Sequence, residues 1–361
     1  MKLGILLIAV LIVGQLFCGA AEAQVYDQIL LKNGVVFRAG DRLTVTAETY
    51  REVEYKTMGT KGTLPQSKVA QIMWGDSPTV YRNGVKAQKK GKFKEAIKHY
   101  QKAINSTIGR KWWIEPYSIY NLAVCYRQAG QSAAAEKEYN RLIKQYPKAR
   151  FYPNAHIDLG EIALARGNYD EASAKFDVVR GSNIFDVDLQ RRAQLGFIDA
   201  LIAKKAYAEA TVGLEDLIEK TATSHPDIAM QATLKRAWVM IVGGDRFDAG
   251  VAEYRRLIKD AVKKMEGTSG KKEARLNVLV AQCYNGLGDA YLKHSSGKNH
   301  HKRALLEYLR VVTVLGEAVG AECAPALAGA ATCFEATGEK ERAEELRAEL
   351  KLRFPGYKCP P

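Results

Sequence analysis

The amino-acid sequence predicts a mainly α-helical protein made of about seven stacked helix pairs, preceded by a small antiparallel β barrel. Period-two alternation with turn residues between the apolar segments runs from 24 to 76 and predicts the barrel. A helical pattern repeats along 77–355 and predicts the helix pairs. The remaining parts are a leader at 1–23 and a short tail at 356–361.

The composition is that of an ordinary folded protein. The 361 residues are 47% hydrophobic and 26% charged, and 54 Lys and Arg against 40 Asp and Glu give a formal net charge of +14. These proportions exclude collagen-like, low-complexity and wholly disordered chains.

The leader has the pattern of a secretory signal peptide. Lys2 precedes the apolar run Leu3–Val13, and the small residues of Ala21–Ala23 form an A-x-A cleavage site. The run is short against the roughly 20 residues that span a bilayer, which argues against a single-pass anchor. Lipid attachment at Cys18 is the other alternative, but Phe17 stands where that signal needs a small residue. We therefore expect an exported protein, periplasmic or extracellular in a bacterial cell envelope, with no transmembrane segment after cleavage.

The positive charge is spread along the sequence rather than gathered in one block. The basic doublets are Lys89-Lys90, Lys204-Lys205, Arg255-Arg256, Lys263-Lys264 and Lys271-Lys272. An exported chain has little access to nucleic acid, so we expect no nucleic-acid partner. The charge favours acidic proteins, an anionic polymer or a phospholipid surface, or else a solvated surface with no charge-specific partner.

Five cysteines remain after cleavage, namely Cys125, Cys283, Cys323, Cys333 and Cys359. The odd count leaves at least one thiol unpaired, and no C-x-x-C spacing occurs. Cys125 and Cys283 lie in apolar helical stretches, where a buried free thiol is the usual case. A disulfide between Cys359 and either Cys323 or Cys333 stays open. No zinc site is expected.

The β region begins with a hairpin signal. Asn33-Gly34 lies between Ile29–Leu31 and Val35–Phe37, and this dipeptide supplies the positive φ angles of a tight turn. Two alternating segments follow at Leu43–Thr46 and Val53–Tyr55, and after them come the stretch Gly59–Pro65 and the segment Val69–Met73. We expect five short strands, which is near the lower size limit for a domain that is stable by itself.

The helical region repeats one order of residue types, a glycine, an alanine five residues later and an aromatic residue four beyond. The clearest copies are Gly91/Ala96/Tyr100, Gly130/Ala135/Tyr139 and Gly167/Ala172/Phe176. Positions equivalent to the alanine are 96, 135, 172, 210, 250, 304 and 343, separated by 39, 37, 38, 40, 54 and 39 residues. Small residues suit the crossing of two packed helices, and large ones fill its flanks.

This pattern resembles the tetratricopeptide repeat, whose L-G-x-x-Y motif stands in full at Leu287–Tyr291. The resemblance covers 78–355 and implies an α-solenoid of about seven repeats, with loops longer than those of the family's 34-residue unit. Lys205 and Asp245 replace the turn glycine of repeats four and five. We expect the 54-residue step to hold a longer loop at His294–His301.

The β region also resembles SH3- or Sm-type small bacterial modules. The matching stretches are Leu31–Gly34, Val36–Gly40 and Pro65–Ile72. These are turn and strand residues, so the resemblance implies a fold and no activity.

No arrangement of residues indicates catalysis. The sequence holds no H-E-x-x-H, G-x-S-x-G or phosphate-binding glycine loop. His294, His300 and His301 share one polar stretch, where a solvated loop is favoured over a loose metal site. We expect no enzyme activity, no cofactor and no metal.

The resemblance implies a concave groove lined by the first helix of each repeat. Its partner-binding positions in repeats one and two fall on Tyr81, Arg82, Lys89, Tyr117, Tyr120, Asn121 and Arg127. In repeats three and four they include Asp158, Glu161, Arg192 and Asp199. Tyr and Arg dominate binding energy at interfaces, although each tyrosine could equally pack against the next repeat. The family's clamp for C-terminal carboxylates is not matched.

The sequence therefore predicts a non-enzymatic, exported interaction scaffold of the cell envelope that binds a protein or peptide segment in the groove. The alternative is electrostatic binding of an anionic envelope polymer or a membrane surface.

Overall fold

The structure is a computed structural model that describes residues 26–37, 42–106, 111–243, 246–294 and 298–357. The expected signal peptide and Cys359 lie outside these ranges. The chain divides into two compact units, Met1–Phe197 and Ile198–Pro361, and each is described by itself.

The N-terminal part of the first unit consists of two three-stranded antiparallel sheets. The strands are β1 (Gln28–Leu31), β2 (Val36–Phe37), β3 (Thr44–Glu48), β4 (Glu52–Lys56), β5 (Lys61–Pro65) and β6 (Val69–Met73). Their order is β2-β1-β6 in one sheet and β3-β4-β5 in the other. The described residues thus hold six strands rather than five, because Lys61–Pro65 pairs with β4 along its whole length. We refer to these strands as the β module.

The predicted hairpin joins β1 and β2, with Leu30 opposite Val36. Only Gly34 adopts a positive φ, of 84°. Asn33 contributes through its side chain instead, since its Oδ1 accepts a hydrogen bond of 3.1 Å from the backbone N–H of Val35. The turn is therefore where the sequence predicted it. Gly34 supplies the positive φ angle, whereas Asn33 supplies a side-chain hydrogen bond.

The rest of the described chain is helical and forms seven consecutive helix pairs. The helices are α1 (Thr79–Lys89), α2 (Phe93–Asn105), α3 (Ile114–Gln128), α4 (Ser132–Gln145), α5 (Tyr152–Ala165), α6 (Tyr169–Arg180), α7 (Val187–Ala203), α8 (Tyr207–Thr221), α9 (Pro226–Val242), α10 (Phe247–Met265), α11 (Lys271–Lys293), α12 (Lys298–Leu309), α13 (Cys323–Thr337) and α14 (Lys340–Arg353). The fold class predicted from the sequence, mainly helical and solenoid-like behind a small β region, is confirmed.

The turn inside a helix pair has one design in several repeats. Gly91, Gly130 and Gly167 have φ angles of 70°, 75° and 83°. The N–H of the residue after each glycine donates to the carbonyl five residues before that residue. The N–H of Asn168, for example, donates to the carbonyl of Ala163 at 2.9 Å. This left-handed cap satisfies carbonyls that the end of a helix leaves free.

Repeat four keeps the same turn without a glycine. Lys205 takes up a φ of 62°, and the N–H of Ala206 bonds to the carbonyl of Leu201 at 2.9 Å. The equivalent Asp245 of repeat five lies outside the described residues.

The spacing of small and aromatic residues is explained by a sandwich at each crossing. A Cβ atom on Gly160 of α5 would lie 2.7 Å from the ring of Phe176, and one on Gly196 of α7 would lie 2.5 Å from it. In the sixth and seventh pairs, Gly288 and Gly329 approach Tyr308 in the same way. An aromatic side chain of a second helix thus packs between two first helices, and only small residues leave room for it.

The prediction of a long loop at His294–His301 is wrong. Helix α12 already begins at Lys298, and the additional residues of the 54-residue step lie in longer helices. Helix α10 has 19 residues and α11 has 23. An unpredicted π-helical turn, Arg310–Leu315, and a 3₁₀ segment, Gly316–Glu322, connect α12 to α13.

The four described cysteines, Cys125, Cys283, Cys323 and Cys333, are buried free thiols. This confirms the prediction for Cys125 and Cys283. Pairing with Cys359 stays a prediction.

Candidate functional site

The β module packs against the first two helix pairs through a cluster of aromatic rings. Trp74, which follows β6, stacks on Trp113 with ring centroids 4.4 Å apart and planes 6° apart. The ring of Tyr81 on α1 meets Trp113 edge-on at 5.0 Å, and the ring of Tyr117 on α3 meets it at 5.7 Å. All four side chains belong to one hydrophobic core.

A buried polar contact accompanies this core. Glu48, at the end of β3, is 7% exposed. It accepts hydrogen bonds from Tyr117 Oη at 2.6 Å and from Arg150 Nη1 at 3.0 Å. Arg150 also donates to the carbonyl of Ala70 on β6 at 2.7 Å. Burial raises the pKa of Glu48, and the Arg150 guanidinium opposes that rise. The β module is thereby fastened to the start of the third helix pair.

Tyr81 and Tyr117, which the sequence predicted to bind a partner, lie in the core shared by the β module and the first helix pairs. They are 7% and 8% exposed, and residues of the β module such as Trp74 belong to the same core. Tyr120 is half-buried, with its ring stacked on Phe151 at 4.3 Å. All three tyrosines thus make packing contacts inside the protein, and a role in partner binding stays a prediction for them.

The polar members of the predicted site are placed differently. Arg82 and Lys89 are exposed on α1. Asn121 donates to the carbonyl of Tyr117 at 2.9 Å and so serves its own helix. The structure does not bring the seven predicted residues into one open surface. Their role in partner binding stays a prediction.

Arg127 belongs to a charged network across three first helices. Asp158 on α5 is 1% exposed, and it accepts from Tyr120 Oη on α3 and from Arg192 Nη2 on α7, each at 3.1 Å. Arg192 also pairs with Glu161 at 2.6 Å, and Arg127 pairs with both acids. Burial raises the pKa of Asp158, against the effect of the two guanidinium groups. Two cations and two anions neutralise one another, so this network joins helices rather than presenting net charge.

The second unit has an apolar cavity between first helices. It has a volume of about 410 Å³ and lies between α9 and α11, the first helices of pairs five and six. Its lining residues are Asp227, Met230, Gln231, Leu234, Ala274, Arg275, Val278, Leu279, Gln282 and Ala318. Asp227 and Arg275 stand at the rim, 3.6 Å apart and at least 70% exposed. We call this the α9–α11 cavity.

Sequence reasoning missed the α9–α11 cavity. The signal was present, because Met230 and Leu234 are spaced by one helical turn on the first helix of a repeat. It could not be separated from ordinary core spacing, since nothing in the sequence showed that Ala318 and the 3₁₀ segment would bound an open space.

Neither a metal centre nor a membrane span is found in the described part of the chain. None of its groups of His, Cys, Asp and Glu is arranged to hold a metal ion. No described helix combines the length and apolar character needed to cross a bilayer.

Helix pairs stacked by repeated small and aromatic residues define a helical-repeat protein. The sequence model of the tetratricopeptide repeat matches residues 81–150 and 120–187. Tetratricopeptide repeats are therefore present within 81–187, and the described fold is mainly helical and solenoid-like behind a small sheet region. Proteins with such repeats generally mediate protein–protein interactions, and the fold is typically a non-enzymatic scaffold.

Two curated relatives are photosystem I assembly proteins Ycf3, from Cuscuta gronovii and Cuscuta obtusiflora. Each is 29% identical to this chain over 104 residues, which is 27% of this chain and 59% of the relative. The chain thus spans about three fifths of the relatives that it matches.

Solved structures with similar helical arrangements share little sequence with this chain. A tetratricopeptide repeat protein from Parabacteroides merdae is 19% identical, with a TM-score of 0.45 over 66% of this chain and 81% of its own. PilF from Pseudomonas aeruginosa is 12% identical, with a TM-score of 0.35 over 77% of this chain and 91% of its own.

Proposed function

We propose that this protein is an exported, non-enzymatic scaffold of the cell envelope that binds an apolar segment of a protein partner in the α9–α11 cavity. The observation that carries the proposal is the open apolar space between the first helices of two consecutive helix pairs. The leader pattern at Lys2 and Ala21–Ala23 supports export.

The chemistry of the cavity defines the segment that would fit. Met230, Leu234 and Val278 are partly buried apolar side chains, and covering them would remove apolar surface from water. The exposed pair of Asp227 and Arg275 provides charges of both signs at the rim. A helix or extended segment with one or two apolar anchors between polar residues matches this arrangement.

The first helix pairs are a less suitable place for the partner. The β module covers the rings of Tyr81 and Tyr117, and the ion pairs of Asp158 and Glu161 satisfy Arg127 and Arg192. A partner in that region would have to displace contacts that are already made.

Val278→Glu tests the proposal. Val278 lines the cavity and is only partly buried, so the substitution should leave the fold intact while placing a carboxylate among apolar side chains. We expect the affinity for the partner to fall at least about tenfold. The partner is identified by photo-crosslinking from position 278 in the native host, and its affinity is then measured by titration.

Val262→Glu is the matched control, because Val262 is 46% exposed on α10 and does not line the cavity. Equal crosslinking from positions 262 and 278, or unchanged affinity of Val278→Glu, would contradict the proposal. Intact mass of the protein from its own host tests export, for which a chain beginning at Gln24 is expected.

The formal charge of +14 favours a second candidate, electrostatic binding of an anionic envelope polymer or membrane surface. Salt separates the two, because the Debye length falls from about 10 Å at 0.1 M to about 3 Å at 1 M. An affinity that falls steeply over this range of salt and is unchanged in Val278→Glu would support the second candidate.

A further inference from the structure

A second cavity of the Ile198–Pro361 unit lies between second helices. Its volume is about 420 Å³, and it is lined by Phe247, Asp248, Val251 and Arg255 of α10, Tyr291 of α11, and Arg303, Leu306, Glu307 and Arg310 at and after α12. Three of these nine residues are arginines, namely Arg255, Arg303 and Arg310. None of the nine lines the α9–α11 cavity, so the two sites can be tested separately.

Two of the arginines meet at Tyr291. Arg255 Nη2 donates to Tyr291 Oη at 3.1 Å, and the Arg303 guanidinium carbon lies 6.0 Å from the centre of the same ring. Tyr291 is 5% exposed, so its ring holds a fixed position between the two cations. Because Arg255 uses the phenolic oxygen as an acceptor, the Tyr291 O–H remains able to donate to an anion.

The acidic groups of this cavity neutralise only part of its charge. Glu307 is buried and paired with Arg310. Asp248, in the first turn of α10, is exposed. Within the described residues, no carboxylate oxygen lies within 4.0 Å of a guanidinium nitrogen of Arg255 or Arg303. Two guanidinium groups therefore line a shared space without the carboxylate partner that most of the described arginines have.

We propose that this cavity binds a phosphate group, held by Arg255, Arg303 and the Tyr291 hydroxyl, with Arg310 at its edge. Guanidinium groups bind phosphate oxygens by paired, charge-assisted hydrogen bonds. The volume exceeds that of a phosphate, and Phe247, Val251 and Leu306 provide apolar contacts for the organic part that carries it. A soluble phosphate ester and a phospholipid headgroup share this chemistry.

Titrations of the full chain test the site and distinguish the two sources. The probes are inorganic phosphate, glycerol phosphate, vesicles of phosphatidylglycerol and vesicles of phosphatidylcholine. We expect wild type to bind at least one of the first three probes. The affinity of Arg255→Gln/Arg303→Gln for that probe should be at least about tenfold lower. Binding of the small phosphates alone assigns a soluble ligand, whereas binding of phosphatidylglycerol vesicles alone assigns a headgroup.

Arg256→Gln/Arg342→Gln is the matched control, since it removes the same charge from exposed arginines that do not line the cavity. The control should bind like wild type. Equal weakening of both double variants would mean that only the net charge acts, and this would overturn the site. Failure of wild type to bind any phosphate probe would overturn it as well.

Discussion

His156 on α5 is a buried base with no hydrogen-bond partner on either ring nitrogen among the described residues. It is 7% exposed, and its ring contacts Tyr152 with centroids 4.7 Å apart. Burial, with a smaller contribution from Lys175, lowers the pKa of His156 to about 4. The folded protein thus keeps this imidazole neutral at a pH where the unfolded chain binds a proton.

This difference predicts a loss of stability in mild acid. The contribution is complete above the unfolded pKa of about 6.5 and is lost as the pH falls towards 4. Between pH 7 and pH 5 the free energy of unfolding should fall by about 2 kcal/mol through this residue. Urea unfolding at the two pH values measures it.

His156→Phe keeps a ring beside Tyr152 but cannot take up a proton. The difference in unfolding free energy between pH 7 and pH 5 should shrink by the same amount in this variant. An unchanged difference would mean that His156 titrates normally in the folded protein.

The helix pairs show how the repeat pattern works at the level of elements. Phe176 is enclosed by Gly160 of its own pair and Gly196 of the next, so each repeat supplies part of its neighbour's core. A single pair could not bury its aromatic side chain in this way, which is the reason that such repeats are stable only when stacked.

The turn of repeat four offers a reciprocal test at this scale. A side chain at a left-handed position costs roughly 1–2 kcal/mol, and Lys205 is exposed with a φ of 62°. We expect Lys205→Gly to raise the free energy of unfolding by about 1 kcal/mol. Gly167→Lys, at the equivalent turn of repeat three, should lower it by a similar amount. Denaturant titrations of both variants provide the measurement, and destabilisation by Lys205→Gly would show that the turns are not equivalent.

For the whole molecule, the main feature of the Met1–Phe197 unit is that the β module is packed onto the helix pairs. Glu48 and Arg150 are 102 residues apart in sequence and meet at 3.0 Å, with Glu48 almost without solvent contact. Removing one member of a buried ion pair leaves a charge that nothing compensates.

Arg150→Met should therefore lower the free energy of unfolding by roughly 3 kcal/mol. The double variant Glu48→Gln/Arg150→Met should recover a large part of that loss, because the stranded carboxylate is gone. Urea unfolding of the full chain compares the wild type, the two single variants and the double variant. Strictly additive effects would contradict direct coupling between the two side chains.

The candidate site could be predicted only in part. Arg127, Asp158, Glu161 and Arg192 were expected on first helices, and the structure places them there. Their mutual ion pairs could not be predicted, because they join helices more than 30 residues apart in sequence. The burial of Tyr81 and Tyr117 could not be predicted either, because aromatic residues recur at the same helical spacing whether they lie in a core or line a groove.

The helix pairs, their approximate number and the residues at their crossings could be derived from the sequence alone. These features depend on contacts between residues within about 40 positions of one another, so the spacing of Ala96, Ala135 and Ala172 predicts them. Which part of the first helices is open depends on contacts between segments that are distant in sequence. Contacts such as Tyr117 with Glu48 join positions 69 residues apart. No local periodicity encodes them, so the docking of the β module and the two cavities of the second unit emerge only when the chain is folded.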